Sequence, residues 1–147
     1  MVAPAIIALG GSLIYGDHDV KTWLGQLRQT IVHLEGNGRK IGLVIGGGKP
    51  ARDGIQLAEH LVKDRYQLDE IGIAATRLNA TILQTMLAEI GCNVADVVPT
   101  STDDAAALFE RFDVVVMGGT KPGHTTDAVS VAFARDSGAA NVIIATN

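Results

Sequence analysis

The sequence predicts an α/β fold: three layers, with a mainly parallel central sheet covered by helices on both faces. Short apolar runs alternate with stretches of helical periodicity along the whole chain. The runs lack the strict polar alternation of a half-exposed strand, as strands buried on both faces do. Several of the runs end in a glycine-rich polar turn that opens a helix.

Residues 3–9, with Ile6 and Ile7, read as the first buried strand, closed by the tight polar turn Gly10-Gly11-Ser12. Asp17 or Asp19 caps a helix over about residues 20–34, which places Trp23, Leu24, Leu27, Ile31 and Leu34 on one face. Gly36-Asn37-Gly38 stops it. Residues 41–45 form a second strand, ending in Gly46-Gly47-Gly48-Lys49-Pro50-Ala51-Arg52, after which Ile55, Leu57, Ala58, Leu61 and Val62 suggest a helix. Residues 63–70 are polar and read as a loop or a frayed helix end, while Ile71-Gly72-Ile73 is ambiguous. A long amphipathic helix over 77–90 carries Leu78, Ile82, Leu83, Met86, Leu87 and Ile90, and Gly91 ends it. A third strand over 94–98 is closed by Pro99, and Ser101, Thr102 and Asp103 offer caps for a helix at about 104–112. A fourth strand, 113–117, leads into the polar stretch 118–127. The helix after it ends near Gly138, and 141–145 is a fifth strand before Thr146-Asn147.

A chain of 147 residues is one domain, 1–147, long enough to bury a real core. A hydrophobic share of 47% excludes a disordered chain. Aromatics are 4%, too few for base-stacking platforms, and a net charge of −4 argues against nucleic acid and acidic membranes as partners. Cys92 is the only cysteine, so neither an internal disulfide nor a cysteine metal cluster is expected; it reads as a packed thiol. No run approaches a membrane span and no basic region precedes the first apolar stretch, so a soluble cytoplasmic protein is the default expectation.

Ligands of open parallel sheets sit at the carboxyl ends of the strands. Gly10-Gly11-Ser12, Gly46-Gly47-Gly48, Gly118-Gly119-Thr120 and Thr146-Asn147 all fall there, so they are expected to meet at one crevice. Glycines let a backbone approach a ligand closely, and the amides of a helix start attract anions. Thr125, Thr126 or Asp127 can cap the helix after the loop. The same loop also reads as an ordinary strand-to-helix turn with a capping Thr. Arg52 can bind an anion in a forked geometry, with Lys49 a second candidate; Arg52 also reads as a solvated helix residue. Neither a Gly-x4-Gly-Lys-Ser/Thr loop nor a Gly-x-Gly-x-x-Gly turn is present. The four histidines, His18, His33, His60 and His124, lack metal-ligand spacing, and only His124 lies in a candidate site; the others read as surface or boundary residues. No Ser/His/Asp set is visible, so no catalytic residue is singled out. Phosphoryl transfer needs mainly positioning and charge neutralisation, which amides, hydroxyls and a few cations supply.

Four stretches in order carry a resemblance: Gly10-Gly11-Ser12, Gly46-Gly47-Gly48-Lys49-Pro50-Ala51-Arg52, Gly72-Ile73-Ala74-Ala75-Thr76-Arg77-Leu78-Asn79-Ala80, and residues 118–129. Together they resemble the amino-acid kinase superfamily, and within it the archaeal-type uridylate (UMP) kinases. The Gly-Gly-Thr-x-Pro-Gly-His-Thr-Thr-Asp-Ala-Val stretch is the most specific part. The resemblance implies transfer of the γ-phosphate of ATP to UMP, with Mg²⁺ accompanying the ATP. It implies UMP contacts from Gly47, Asp69, Thr120, Lys121, Pro122, Gly123, His124, Thr125 and Thr126. It places Gly11, Ser12, Gly48 and Arg52 near the transferring phosphates, and Thr146 and Asn147 on the ATP side. Unaided, Asp69 reads as a surface carboxylate. Lys121 departs from the family, which often has His or Glu there. In the family, Thr-Asn is followed by an Asp-Gly-Val-Tyr-like segment and the rest of the nucleotide-binding half, whereas this sequence stops at Asn147. The resemblance therefore implies that the C-terminal portion of the fold is missing, with the adenine and ribose pocket and the catalytic Asp and Lys positions. The expectation is a truncated or split product, or a chain working with a second polypeptide, better suited to acceptor binding than to catalysis alone. Homo-oligomers, dimers or hexamers, are expected by the same resemblance, with the 77–90 helix as one possible interface. The alternatives are a relative with another small acceptor, such as an isopentenyl phosphate, carbamate or acylamino-acid kinase. A non-catalytic oxyanion storage or regulatory subunit on the same fold is a further one.

Overall fold

A computed structural model describes residues 2–16 and 18–145. Among them, four strands form one parallel sheet: β1 (Ala5–Leu9), β2 (Ile41–Ile45), β3 (Val114–Met117) and β4 (Val142–Ala145), in the order β3-β2-β1-β4. The helices are α1 (Ser12–Tyr15), α2 (Val20–Gly36), α3 (Gly48–Ala58), α4 (Arg65–Glu89), α5 (Thr102–Leu108) and α6 (Thr126–Ser137). The register pairs Ile6 with Gly42 and Gly42 with Val115, so all four carboxyl ends lie on one edge. This is the expected α/β architecture with both sheet faces covered.

Each strand sends alternate residues to opposite faces. Ile7, Leu9, Leu43, Ile45 and Val116 pack with α2 and α4 through Leu24, Leu27, Ile31, Leu83 and Leu87. Ile6, Val44, Val115 and Met117 pack on the other face with α5 and α6 through Ala105, Val129 and Phe133. Two cores divided by one sheet explain why β1, β2 and β3 read as unbroken apolar runs. At the edge, β4 is only half covered, with Ile143 51% and Ile144 58% exposed.

Several expected elements are corrected. The predicted third strand, 94–98, is a single bridge from Val94 to Val114. Asp96 and Val97 are exposed, and Pro99 lacks the donor a ladder would need, so the chain turns into α5 instead. The sheet therefore has four strands where five were expected. Residues 63–70, expected as a loop or a frayed helix end, are coil only at 63 and 64; 65–70 are the first turns of α4. Asp64 caps α4, accepting from the Tyr66 amide at 3.1 Å, and the helix runs from Arg65 through Gly72 and on to Glu89. Only Leu68 of its first turns is deeply buried, so the hydrophobic pattern is faint there. The helix after β2 starts at Gly48 and ends at Ala58. Its Leu57 is 75% exposed, and Leu61, beyond its end, is 90% exposed, so neither is a core position. Leu78 of α4 likewise points outward. The turn after β1 closes as the short helix α1. Asp19, not Asp17, is the observed cap of α2; Asp17 lies outside the described residues. Among the described residues no helix is long and apolar enough to cross a membrane.

Candidate functional site

At the shared edge the glycine turns touch one another. Gly11 and Gly48 meet backbone to backbone: a Cβ on Gly11 would lie 2.4 Å from the Gly48 nitrogen. Gly48 itself has φ +56°, a conformation that suits glycine, and it begins α3. Thr126 reaches the end of β2 as well, its Oγ1 3.3 Å from where a Gly46 Cβ would stand. The turns after β1 and β2 and the loop after β3 are thus one rim, as the sequence led us to expect.

Helix α4 lies across this rim and wires it together. The Thr76 hydroxyl accepts from the Gly119 amide at 2.6 Å and donates to the Ile73 carbonyl at 2.6 Å. The Arg77 guanidinium donates to the carbonyls of Gly119 at 3.3 Å and Thr120 at 3.0 Å. The Asn79 amide donates to the carbonyls of Gly46 at 2.8 Å and Gly47 at 2.9 Å, and its oxygen accepts from the Tyr15 hydroxyl at 2.8 Å. Asp69, two turns earlier on α4, accepts from the Gly123 amide at 3.2 Å. Thr76 and Asn79 are buried, an environment in which polar groups are tolerated only when paired. Here every buried side-chain polar atom among the described residues has a partner.

Between α3, α4 and the loop lies a crevice of about 350 Å³, within the size range of small-molecule sites. Gly47, Asp69, Lys121, Pro122, Gly123, His124, Thr125 and Thr126 all line it, together with Ala51, Ile55, Gly72, Ile73, Thr76 and Gly119. Thr120 is the member of the expected acceptor set that does not: its carbonyl is held by Arg77, and it faces neighbouring clefts. Of the set expected near the transferring phosphates, Gly11, Ser12, Gly48 and Arg52 stand outside the crevice wall, with Gly11 and Gly48 at the adjoining rim. Arg52 is exposed, without a side-chain hydrogen bond or ion pair among the described residues. Lys49 is instead paired with Asp53 one turn along α3. Thr146 and Asn147 lie outside the described residues. Among the described residues no group of three or more His, Cys, Asp or Glu could hold a metal ion.

Chemically the crevice offers backbone amides, the hydroxyls of Thr125 and Thr126, an ammonium, an imidazole and one carboxylate against an apolar floor of Ala51, Ile55 and Ile73. Thr125 spends its hydroxyl on α6, accepting from the Ala128 amide at 3.1 Å. Such a wall suits a small ligand with an anionic end and a flat polar body. Thr76, Arg77 and Asn79 were given no role by sequence reasoning. Their signal was there: Thr76 and Asn79 stand three apart among Ala75, Ala80 and Leu83, polar residues where the helix face should be apolar.

The model of the amino acid kinase family matches residues 4–147. The uridylate kinase of Halorubrum lacusprofundi is 39% identical over 142 residues, covering 97% of this chain and 57% of that protein. That of Thermoplasma volcanium is 42% identical over 125 residues, covering 85% of this chain and 52% of that protein. Among solved structures, the uridylate kinase of Archaeoglobus fulgidus superposes with a TM-score of 0.82 at 38% identity, over 98% of this chain and 64% of that one. The chain thus spans little more than half the length of these curated relatives.

Proposed function

This chain belongs to the amino acid kinase family, and from that premise we propose that it is the acceptor-binding portion of a uridylate kinase, holding UMP in the crevice under α4. The observation that carries the reading is the junction of Asp69 with the Gly123 amide. It closes a wall of amides, hydroxyls and cations around a space of about 350 Å³. A nucleoside monophosphate has the matching parts. Its phosphate suits Lys121, His124 and the amides of the loop, and its base suits the apolar floor and the carboxylate of Asp69.

In the proposed reaction an oxygen of the UMP phosphate attacks the γ-phosphorus of ATP. The bond from that phosphorus to the β,γ-bridging oxygen breaks, and UDP and ADP form. The residues of this chain bind and orient; they form no covalent intermediate. To Arg52 and the α3 amides beside Gly48, at the rim that adjoins the crevice, this reading assigns the transferring phosphate. Family chemistry implies Mg²⁺ with the ATP, but the described residues do not fit a metal site of their own. The ion is therefore assigned no side-chain ligand in this chain.

Isothermal titration with UMP, CMP and AMP tests the reading. Preferential binding of UMP is expected, and equal or absent heats for the three would overturn it. Turnover is tested separately, by coupled ADP release with UMP and ATP.

A further inference from the structure

The loop that walls the crevice has a second side. There it faces another cavity, of about 310 Å³, closed by the start of α5 and by α6. Lys121 and His124 line this cavity as well as the first. Arg135 and the hydroxyl residues Ser101 and Thr102 line only the second. Asp103 is the single carboxylate among its lining residues.

Of the cations here, only Arg135 has an ion-pair partner among the described residues. Lys121 and His124 are exposed, and their side chains make no hydrogen bond or ion pair among the described residues. Arg135 engages Asp136 through Nε alone, at 3.2 Å, and the other oxygen of Asp136 takes the Thr102 hydroxyl at 2.6 Å. The terminal guanidinium nitrogens of Arg135 are left for another acceptor, the fork that suits a phosphate. Two cations and an imidazole, from the loop and α6, thus meet one carboxylate in the lining, Asp103, and a second behind it, Asp136, whose oxygens are already taken by Arg135 Nε and the Thr102 hydroxyl.

We propose that this second cavity is a regulatory anion site for a phosphate-bearing small molecule, and that its occupation opposes binding in the first cavity. Lys121 and His124 stand in the wall between the two and cannot serve both at once. An anion on the far side draws their charge away from the acceptor, and by linkage the acceptor weakens the anion equally. The antagonism rests on the acceptor reading above; the anion site itself does not.

The test uses the full chain in phosphate-free buffer, with backbone amide chemical shifts followed during titration by inorganic phosphate and, separately, by ribose 5-phosphate. Saturable shifts at Ser101, Thr102 and Arg135 are expected, with an apparent affinity about tenfold weaker in Arg135→Gln. A response to both probes means that the phosphate group suffices; a response to the sugar phosphate alone means that an ester is read. No saturable shift with either probe, or the same curve in the variant, overturns the site. Arg135 is exposed, so the variant keeps the fold. UMP is then titrated with and without the anion. A rise in its dissociation constant of about fivefold or more is expected for the wild type, and of less than about twofold for Arg135→Gln. An equal rise in both would mean direct competition in the first cavity and would overturn the antagonism. If UMP does not bind the wild type at all, the acceptor reading fails, while the shift titration still decides the anion site.

Discussion

Thr76 and Gly119, 43 positions apart in sequence, are joined by a buried hydrogen bond of 2.6 Å from the Gly119 amide to the Thr76 hydroxyl. The bond fixes the first residues after β3 to the middle of α4. Thr76→Val keeps the shape of the side chain and removes the hydroxyl, leaving a buried N–H without a partner. The expected cost is about 1–3 kcal/mol, read as a lower urea midpoint at an unchanged slope. Thr76→Ser, which keeps the acceptor, is expected to lose much less. A Val variant with a wild-type midpoint would show that the bond does not hold the seam.

Asn79 does for β2 what Thr76 does for β3, with its amide shared between the Gly46 and Gly47 carbonyls. Asn79→Leu is expected to destabilise by about 2–3 kcal/mol, because two carbonyls at the base of the crevice lose a buried donor. Asn79→Asp reverses the polarity of the group and sets a carboxylate against two carbonyl oxygens. Burial and those oxygens favour the neutral acid, so its folded pKa is raised above the unfolded one. The difference in stability from wild type should therefore narrow as pH falls and the new carboxyl takes up a proton. Equilibrium unfolding across the acid range checks the direction.

Arg77 acts on the loop from outside the crevice, through the carbonyls of Gly119 and Thr120. Arg77→Lys keeps the charge and loses the fork. Amide exchange over residues 119–126 is expected to speed up, and UMP binding to weaken by about three- to tenfold, with global stability changed by less than about 1 kcal/mol. Faster exchange spread over the whole chain would instead identify Arg77 as a core stability residue.

How far these features were legible depends on what kind of force fixes them. The strands β1 and β2 are buried on both faces, so their hydrophobic runs stood out; 41–45 was read to the residue, while the first run, read as 3–9, is a strand only over Ala5–Leu9. The run at 94–98 is apolar but for Asp96, and it fails as a strand because pairing is a property of neighbours. Val94 finds β3 for one bridge, and the chain then turns at exposed Asp96 and Val97. The opposite error hid the start of α4, where a helix held by its Asp64 cap and by Leu68 shows too few apolar residues to register. The glycine turns were readable as a rim because parallel order forces strand ends together. Thr76 and Asn79 show in the sequence only as polar breaks in an apolar helix face, and Arg77 not even as that; the carbonyls and amide they bond lie in segments dozens of residues away, which no local pattern names.

Cys92 is a test of the electrostatics on the opposite side of the molecule. Burial chiefly, and the Glu35 carboxylate with it, push its thiol above the ordinary cysteine range, while Arg28 pulls the other way. The thiolate is the reactive form, so alkylation at neutral pH is expected to be slower than for a free cysteine and to accelerate with rising pH beyond the point where an ordinary thiol has levelled off. Glu35→Gln should speed the reaction and Arg28→Gln should slow it. Iodoacetamide kinetics against pH measures both, and a profile matching free cysteine would contradict the assignment.

Two glycines separate space from conformation. Gly11 has φ −60°, which any residue adopts, so the demand for glycine there is purely one of room. An added Cβ would meet Gly48 N at 2.4 Å, Gly48 Cα at 2.7 Å and the Gly46 carbonyl oxygen at 2.8 Å, all backbone atoms that cannot rotate away. Gly11→Ala must therefore push the β1 and β2 turns apart, at an expected cost of about 1–3 kcal/mol. Because Gly48 opens α3 at the edge of the crevice, UMP binding should weaken along with stability. Gly25 lies in the exposed interior of α2, where an added Cβ meets nothing within 4 Å. Gly25→Ala should stabilise the chain by about 0.5–1 kcal/mol through helix propensity alone, and leave UMP binding unchanged. The same chemical change is thus expected to move the urea midpoint in opposite directions at two positions. Equal shifts would mean that the close approach of Gly11 to Gly48 does not constrain the rim.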